Sequence, residues 1–553
     1  MTTYYVTPVA DGGSDGANGT SQLTPWATTS KVNGSSFSQD DVISFKCGEL
    51  WREQLTFPSS GSSGHPITVR NYGAGALPIF YGSDNRSTAG DWTNESGTDW
   101  YTTMAVTANI VWRNDVALTQ VATKVGVTDA TKWWWDSGNS RVYTYGASNP
   151  TTGGIAYEIG QRTPLYVTAK NFVTMYGLAS YYSNDYGIWF NSSCQNGTVS
   201  GCTVYRTYYS GIYFNGALNA SVSYNTVSYT GKSASAATLD HAGIALTLAT
   251  GSVAAAYIGY NTVSHTGRTG ITIYDAGMDN TVIEFNEVHD TAENEFDTTA
   301  PGPHRLGYGI QLYNGGLVNA IDGVIVRWNN VHDTAIAGVA LLGLVTNAVV
   351  HHNLLIRNYN TGAPYQNDYL TNIVIFDIGT GSKFYHNTCV QPDVNLALNL
   401  YNIRIPAGAT FNNGEVKNNI FYNGQQNTFF GGIFELATGS SPLPSWNFNC
   451  YWMPVTPQGS ILFNWDGTNY TWAGRPTGAM EAFGLNVDPQ FVSAATDSYV
   501  LKSTSQCVNG GLAIAGINDG YIGAAPDLGV FERNPMTGHR PWRASVRPRK
   551  VWR

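Results

Sequence analysis

A loose repeat running from about Tyr166 to about Tyr451 constrains the fold more than any other feature of the chain. An aromatic or polar residue is followed by Asn, one variable residue and an aliphatic one. Copies read Tyr224-Asn225-Thr226-Val227, Tyr260-Asn261-Thr262-Val263, Phe285-Asn286-Glu287-Val288, Trp328-Asn329-Asn330-Val331 and His352-Asn353-Leu354-Leu355, then His386-Asn387-Thr388-Cys389 and Asn418-Asn419-Ile420-Phe421. Between most copies falls a Gly-Ile cluster, as at Gly187-Ile188, Gly211-Ile212, Gly243-Ile244, Gly270-Ile271 and Gly309-Ile310. Successive copies lie about 24 to 43 residues apart, a period that signals a solenoid. The segments are short, rich in β-branched and aromatic residues, alternate at period two and are punctuated by Gly, Asn, Ser and Thr, so they are strands. A coil of short strands closed by Asn at one bend and Gly at another predicts an all-β, right-handed parallel β-helix. Asn side chains stacked from coil to coil would hydrogen-bond along the axis.

A solenoid grows by stacking, so the 553 residues need no single compact core. Charged residues make up only 12%, while Gly (61) and Tyr (34) are abundant, as long ladders with many turns require. Six basic residues and no acids fall in the last fifteen positions, which leaves 23 basic against 38 acidic residues in the body, a net charge of −15. A body this acidic repels nucleic acid and polyanionic glycans unless a metal or local basic groups compensate. The six cysteines are scattered without finger spacing, and Cys202 and Cys389 sit at strand positions, where a small buried hydrophobe is expected. No apolar run reaches membrane-spanning length and no signal peptide precedes Tyr4, so an extracellular role implies a trimmed signal or a place in a virion, where a homotrimer would be expected.

Both ends carry further signatures. The segment Tyr4-Tyr5-Val6, with Asp11-Gly12-Gly13-Ser14-Asp15-Gly16, Pro25-Trp26 and Asp40-Asp41-Val42-Ile43-Ser44-Phe45, resembles the opening of bacterial and phage proteins of the pectate-lyase-like β-helix superfamily. Asn486-Val487-Asp488-Pro489-Gln490-Phe491 and Asp527-Leu528-Gly529-Val530-Phe531-Glu532 resemble its closing segment. The resemblance implies the fold and a carbohydrate-active role, but not the chemistry, because that superfamily spans lyases, hydrolases, epimerases and adhesins. The expected organisation is an N-terminal cap and first coils over 1–80, an inserted β subdomain over 81–161, regular coils over 162–458, irregular closing coils over 459–535 and a basic tail over 536–553. Within the insert, Lys132-Trp133-Trp134-Trp135-Asp136-Ser137-Gly138-Asn139 followed by Arg141-Val142-Tyr143 reads as a hairpin whose three Trp either pack or form a glycan platform. The Asp11–Asp15 run lacks the distal Glu of a calcium loop and reads as a turn.

Loops after the Asn-bearing strands vary most in length and should wall a groove. The 290–308 stretch concentrates Asp290, Glu293, Glu295, Asp297, His304 and Arg305. The residue four positions after the Asn is Tyr229, His265, Asp290, Asp333 and Arg357 in successive coils, which stacks them in a column at the strand spacing of ~4.8 Å. Two carboxyl groups ~5–5.5 Å apart suit a retaining glycosidase and ~6.5–9.5 Å an inverting one. The expected catalytic set is therefore Asp290 and Asp333, with His304 and His265 handling protons. Glu293, Glu295, Arg305, Tyr308, Arg357, the Asp240-His241 element and the aromatic residues Trp189 and Tyr213 are expected to contact substrate. Against this stands the reading of Val-His-Asp-Thr, which occurs twice, as a turn cap. The expected function is a glycoside hydrolase acting on a polysaccharide, with neither a metal nor a cofactor. A lyase acting on a uronate, with calcium as a candidate cofactor, and a glycan-binding virion fibre or adhesin are the alternatives.

Overall fold

The computed structural model describes residues 1–192, 194–216, 218–232, 241–247, 255–274, 277–292, 307–315, 319–358, 371–391, 401–406, 408–424, 433–436, 445–453, 462–465, 467–476, 480–534 and 538–539. These fall into two compact units, residues 1–247 with 264–268, and residues 255–263, 269–292 and 307 onward. Each is built from coils of a right-handed parallel β-helix. Every regular coil contributes one strand before the Asn to a first sheet, one after it to a second and the Gly-Ile strand to a third.

In the first unit the third sheet runs in parallel through Leu55–Phe57, Leu165–Thr168, Ile188–Asn191, Ile212–Phe214 and Ile244–Thr247, with Leu165, Ile188, Ile212 and Ile244 in register inside. The Gly before each Ile is required by close approach. A Cβ on Gly211 would lie 2.7 Å from the carbonyl oxygen of Gly243 on the next coil. Residues 83–160 form a four-stranded and a five-stranded sheet, the latter containing the Lys132–Asp136/Arg141–Tyr145 hairpin. Its tryptophans pack: Trp133 is fully buried, Trp134 lies against Tyr143 and Trp135 packs on the core around Val142 and Tyr157, which removes the platform reading. The insert is fastened by Asp115, which accepts hydrogen bonds from Tyr205 (2.6 Å), Tyr182 and both Nε and Nη2 of Arg206 (2.6 and 3.0 Å). The Asp-rich N-terminal segment is the expected turn, with Asp15 accepting from the amides of Ala27 and Thr28.

In the second unit the buried rungs of the first sheet are Ile283, Val326, Val350, Phe384, Val416 and Trp446, in unbroken parallel register. The residue before each Asn takes the left-handed conformation (φ 54° at Phe285, 56° at Trp328, 53° at His352), a cost that the Asn side chains offset. Asn261, Asn286, Asn329, Asn353, Asn387, Asn419 and Asn449 form one continuous ladder. Each Nδ2 donates to the Oδ1 of the next at 2.9–3.0 Å, and each backbone N–H of the series up to Asn419 donates to the same oxygen. The ladder ends on Glu481, wholly buried, which accepts from Asn449 Nδ2 at 2.6 Å and Tyr451 OH at 2.8 Å. Residues 485–531 then cover the outer face of the second sheet, packing Phe491, Tyr499, Leu501, Cys507 and Leu528 over Ile356, Val390, Ile420 and Cys450.

Candidate active site

In each unit further left-handed residues stand at the far end of the second-sheet strands. These are Tyr182, Arg206, Tyr229 and His265 in the first unit and, separately, Asp290, Asp333 and Arg357 in the second, with φ from 49° to 60°. The residue after each turns inward. Thr291 donates to the carbonyl of Gly307 at 3.1 Å and Thr334 to Asn358 at 3.0 Å. In Val-His-Asp-Thr the threonine therefore ties the bend from inside, and the aspartate points out. The register Val288↔Val331 and His289↔His332 brings Asp290 and Asp333 to the same place on adjacent strands, one spacing (~4.8 Å) apart along the backbone.

Their surroundings are ionic. His289 Nδ1 lies 2.7 Å from Asp290 Oδ2, and His332 Nδ1 lies 2.7 Å from Asp333 Oδ2. The two imidazoles stack face to face at 4.8 Å and 4°. Asp333 also accepts Arg357 Nε (2.8 Å) and Nη2 (3.2 Å), while Arg357 Nη1 reaches Asp497 (2.7 Å), which accepts Tyr499 OH at 2.8 Å. Burial opposes ionisation of Asp333, but His332 and Arg357 outweigh it and hold its carboxyl at about 2. Burial likewise opposes charging of His332, yet Asp333 and Glu287 together raise it to about 9. At neutral pH this is an ionised carboxylate beside an imidazolium. Each aspartate side chain remains about a third exposed (35% and 36%), so both are within reach of a ligand.

Other expected site residues are distributed differently. His265 belongs to the first unit, where it meets the ring of Tyr229 edge-on at 4.5 Å. Asp240, Glu293, Glu295, His304 and Arg305 lie outside the described residues. His241 is not exposed in a groove. It is buried, stacks on Tyr209 at 5.8 Å, and desolvation with Arg268 nearby lowers it to about 3, so it is neutral. Tyr308, expected on a loop wall, opens a third-sheet strand and is buried against Ala337 and Ala340. Arg357 points into the ion network rather than to a loop wall. Trp189 and Tyr213 sit on the outer face of the third sheet in a ring cluster with Tyr186 (4.7 and 4.6 Å) and Tyr166 (5.0 Å from Trp189), of which Tyr213 is buried and Trp189 partly exposed. In the second unit Tyr274 and Tyr313 stack at 4.9 Å on the same sheet.

The sequence reading missed His289, His332, Glu287 and Asp497. The two histidines stood in plain view inside Val-His-Asp-Thr, at period two from Glu287 and Asn330, and outward alternation alone would have found them. Asp497 had no sequence signal.

Three comparisons bear on this architecture. The family model described as "Right handed beta helix region" matches residues 142–323. The structure of XylC with xylose superposes with a TM-score of 0.52 at 13% identity, covering 89% of this chain and 87% of that one. The chain is a right-handed parallel β-helix protein. Pectate lyase Pel9A (14% identity, 97% of both chains, TM-score 0.47) and a glycoside hydrolase (10% identity, 81% and 96%, TM-score 0.47) are more distant likenesses of the same β-helix protein. A search of curated proteins found no match. Among the described residues no helix is long and apolar enough to cross a membrane.

Proposed function

We propose that the protein hydrolyses a neutral polysaccharide outside the cell, with Asp290 and Asp333 as its carboxyl pair. The observation that carries this reading is their placement in register on adjacent strands, each outward, each bonded to its own histidine. Asp333, ionised at neutral pH, is suited to attack the anomeric carbon as nucleophile while the bond to the leaving oxygen breaks, or to act as base on an attacking water. The proton for the leaving oxygen comes from the Asp290–His289 side of the pair. The backbone spacing of one strand favours the retaining geometry. Sharing a fold with XylC, which was solved with xylose, supports a sugar substrate. Partly exposed rings on the third sheet, Trp189 in one unit and Tyr274 with Tyr313 in the other, suit the apolar faces of sugar residues.

The charge balance favours hydrolysis over elimination from a uronate. Glu287, Asp290, Asp333 and Asp497 gather around Arg357 and two imidazoles, and Arg357 is already shared between two carboxylates. A uronate would add a further negative charge to that cluster.

The test is a panel of neutral and uronate-containing glycans assayed for reducing ends and for the near-ultraviolet absorbance of unsaturated products. Reducing ends without that absorbance are expected, and Asp290→Asn and Asp333→Asn should each lower turnover by ~10²–10⁴-fold. Asp497→Asn is the control, because it loosens the Arg357 tie without touching the pair. Equal losses in Asp333→Asn and Asp497→Asn would reduce Asp333 to a structural anchor. Unsaturated products would establish a lyase, and no release from any glycan would favour a binding protein.

A further inference from the structure

A cavity of about 500 Å³ opens in the second unit where the residues preceding the ladder asparagines meet the closing segment. One wall is the ring column Phe285, Trp328, His352 and His386, and the other is formed by residues around Tyr521 and Phe531. It lies at the opposite end of the second-sheet strand from Asp290, five residues and roughly 15 Å away along the chain. Its volume falls in the range that takes up small organic ligands, ~300–1,000 Å³.

The chemistry of the walls selects the ligand. The rings stack on one another nearly in parallel, at 6.3, 4.2 and 4.7 Å with tilts of 5°, 23° and 7°. Their faces are largely taken up by each other, and they turn their edges outward, which is not the broad platform a sugar ring covers. Most of the polar groups that line the cavity are already engaged by the protein, the Trp328 indole N–H and the Tyr521 hydroxyl excepted. His386 Nε2 accepts from Asn518 Nδ2 (2.7 Å) and Asn418 Nδ2 (2.9 Å), Asn518 Oδ1 accepts the amide of Ile514, and His352 Nδ1 lies 2.8 Å from His351 Nδ1. The Glu532 oxygens accept the amides of Ile522 and Asp527 at 2.9 and 3.0 Å. A sugar here would bury hydroxyls against committed partners, at ~1–3 kcal/mol for each one left unpaired. An anion would meet Glu532, and burial keeps His352 and His386 uncharged at neutral pH, so neither would attract it.

From this geometry we infer that the cavity is a second ligand site, separate from the carboxylate pair, for an uncharged, mainly apolar group such as an aromatic ring or a short alkyl chain. Trp328 and Tyr521 are the side chains that would enclose it.

The neutral fluorophore N-phenyl-1-naphthylamine is the probe, titrated into the full-length protein. Saturable enhancement at one site per chain is expected, with an excess of xylose or cellobiose leaving it unchanged. Gly520→Phe fills the cavity from its rim, where an added Cβ meets no atom within 4 Å. It should weaken binding by at least about tenfold while the melting temperature holds. Ile522→Trp, from the neighbouring position, is the second occluding variant, should the first fail to fold. No saturable binding, displacement by either sugar, or full-strength binding to both folded variants would each overturn the assignment.

Discussion

Replacing Asn353 by Ala tests whether the asparagine ladder holds the second unit together. Asn353 is fully buried at mid-ladder. Its Oδ1 accepts both the backbone N–H and the Nδ2 of Asn329 at 3.0 Å, and its Nδ2 donates to Val326 O (2.9 Å), His351 O (3.1 Å) and Asn387 Oδ1 (3.0 Å). Truncation strands the buried N–H of Asn329 at about 1–3 kcal/mol and removes two or three net bonds worth about 1 kcal/mol each. Asn329 Nδ2 is spared, because it also reaches Ile283 O and Arg327 O. The expected loss is therefore about 3–6 kcal/mol, large because rungs above and below depend on the same amide. Urea unfolding followed by tryptophan fluorescence measures it, with Asn469→Ala, in an exposed Asn–Asn pair, as control at under ~0.5 kcal/mol. Asn353→Asp keeps the acceptor but turns a carboxylate toward Asn387 Oδ1, and should be no better than alanine. If Asn353→Ala unfolds within ~0.5 kcal/mol of the control, the ladder follows the coils rather than holding them.

Glu481 makes the second unit less stable as pH rises toward neutral. Burial raises its folded pKa from 4.5 to about 7, so the folded state keeps a proton that the unfolded chain releases, and stability should fall as pH rises from 4.5 to about 7 and then level off. Glu481→Gln should flatten this part of a melting-temperature profile, and an unchanged slope would assign it to other groups. Asp333 acts with the opposite sign. Held at about 2, it contributes stability above 3.8 that is lost as pH falls toward 2, and Asp333→Asn should remove that acid limb from the same profile. Asp115→Ala releases the fastening made by Tyr182, Tyr205 and Arg206, and limited proteolysis should cut the 83–160 insert several-fold faster while the coils stay resistant; equal rates would mean that the insert is held elsewhere.

The recurrence of Asn and Gly at coil spacing determined the architecture without help from tertiary structure. Each repeat supplies the same bend, and identical bends stack only as parallel coils. The same spacing placed Asp290 beside Asp333, because residues at equal offsets from a ladder asparagine share a register. The hairpin at Asp136–Arg141 and the turn around Asp15 were equally local and equally legible. Only the folded chain decided what these residues touch. Arg357 is drawn from its expected loop wall by Asp497, 140 residues further on, because the closing segment returns over the second sheet. Trp133 and Trp135 of the insert became packing because a second small sheet covers them, Trp134 lies against Tyr143 on the other face, and His241 lost its charge on burial against Tyr209. The cavity beside Trp328 exists only because residues 517–532 cross a ring column more than 130 residues earlier in the chain. Register is a property of local period, whereas partners and protonation depend on which distant segment excludes water from a side chain, and a single period carries no information about that.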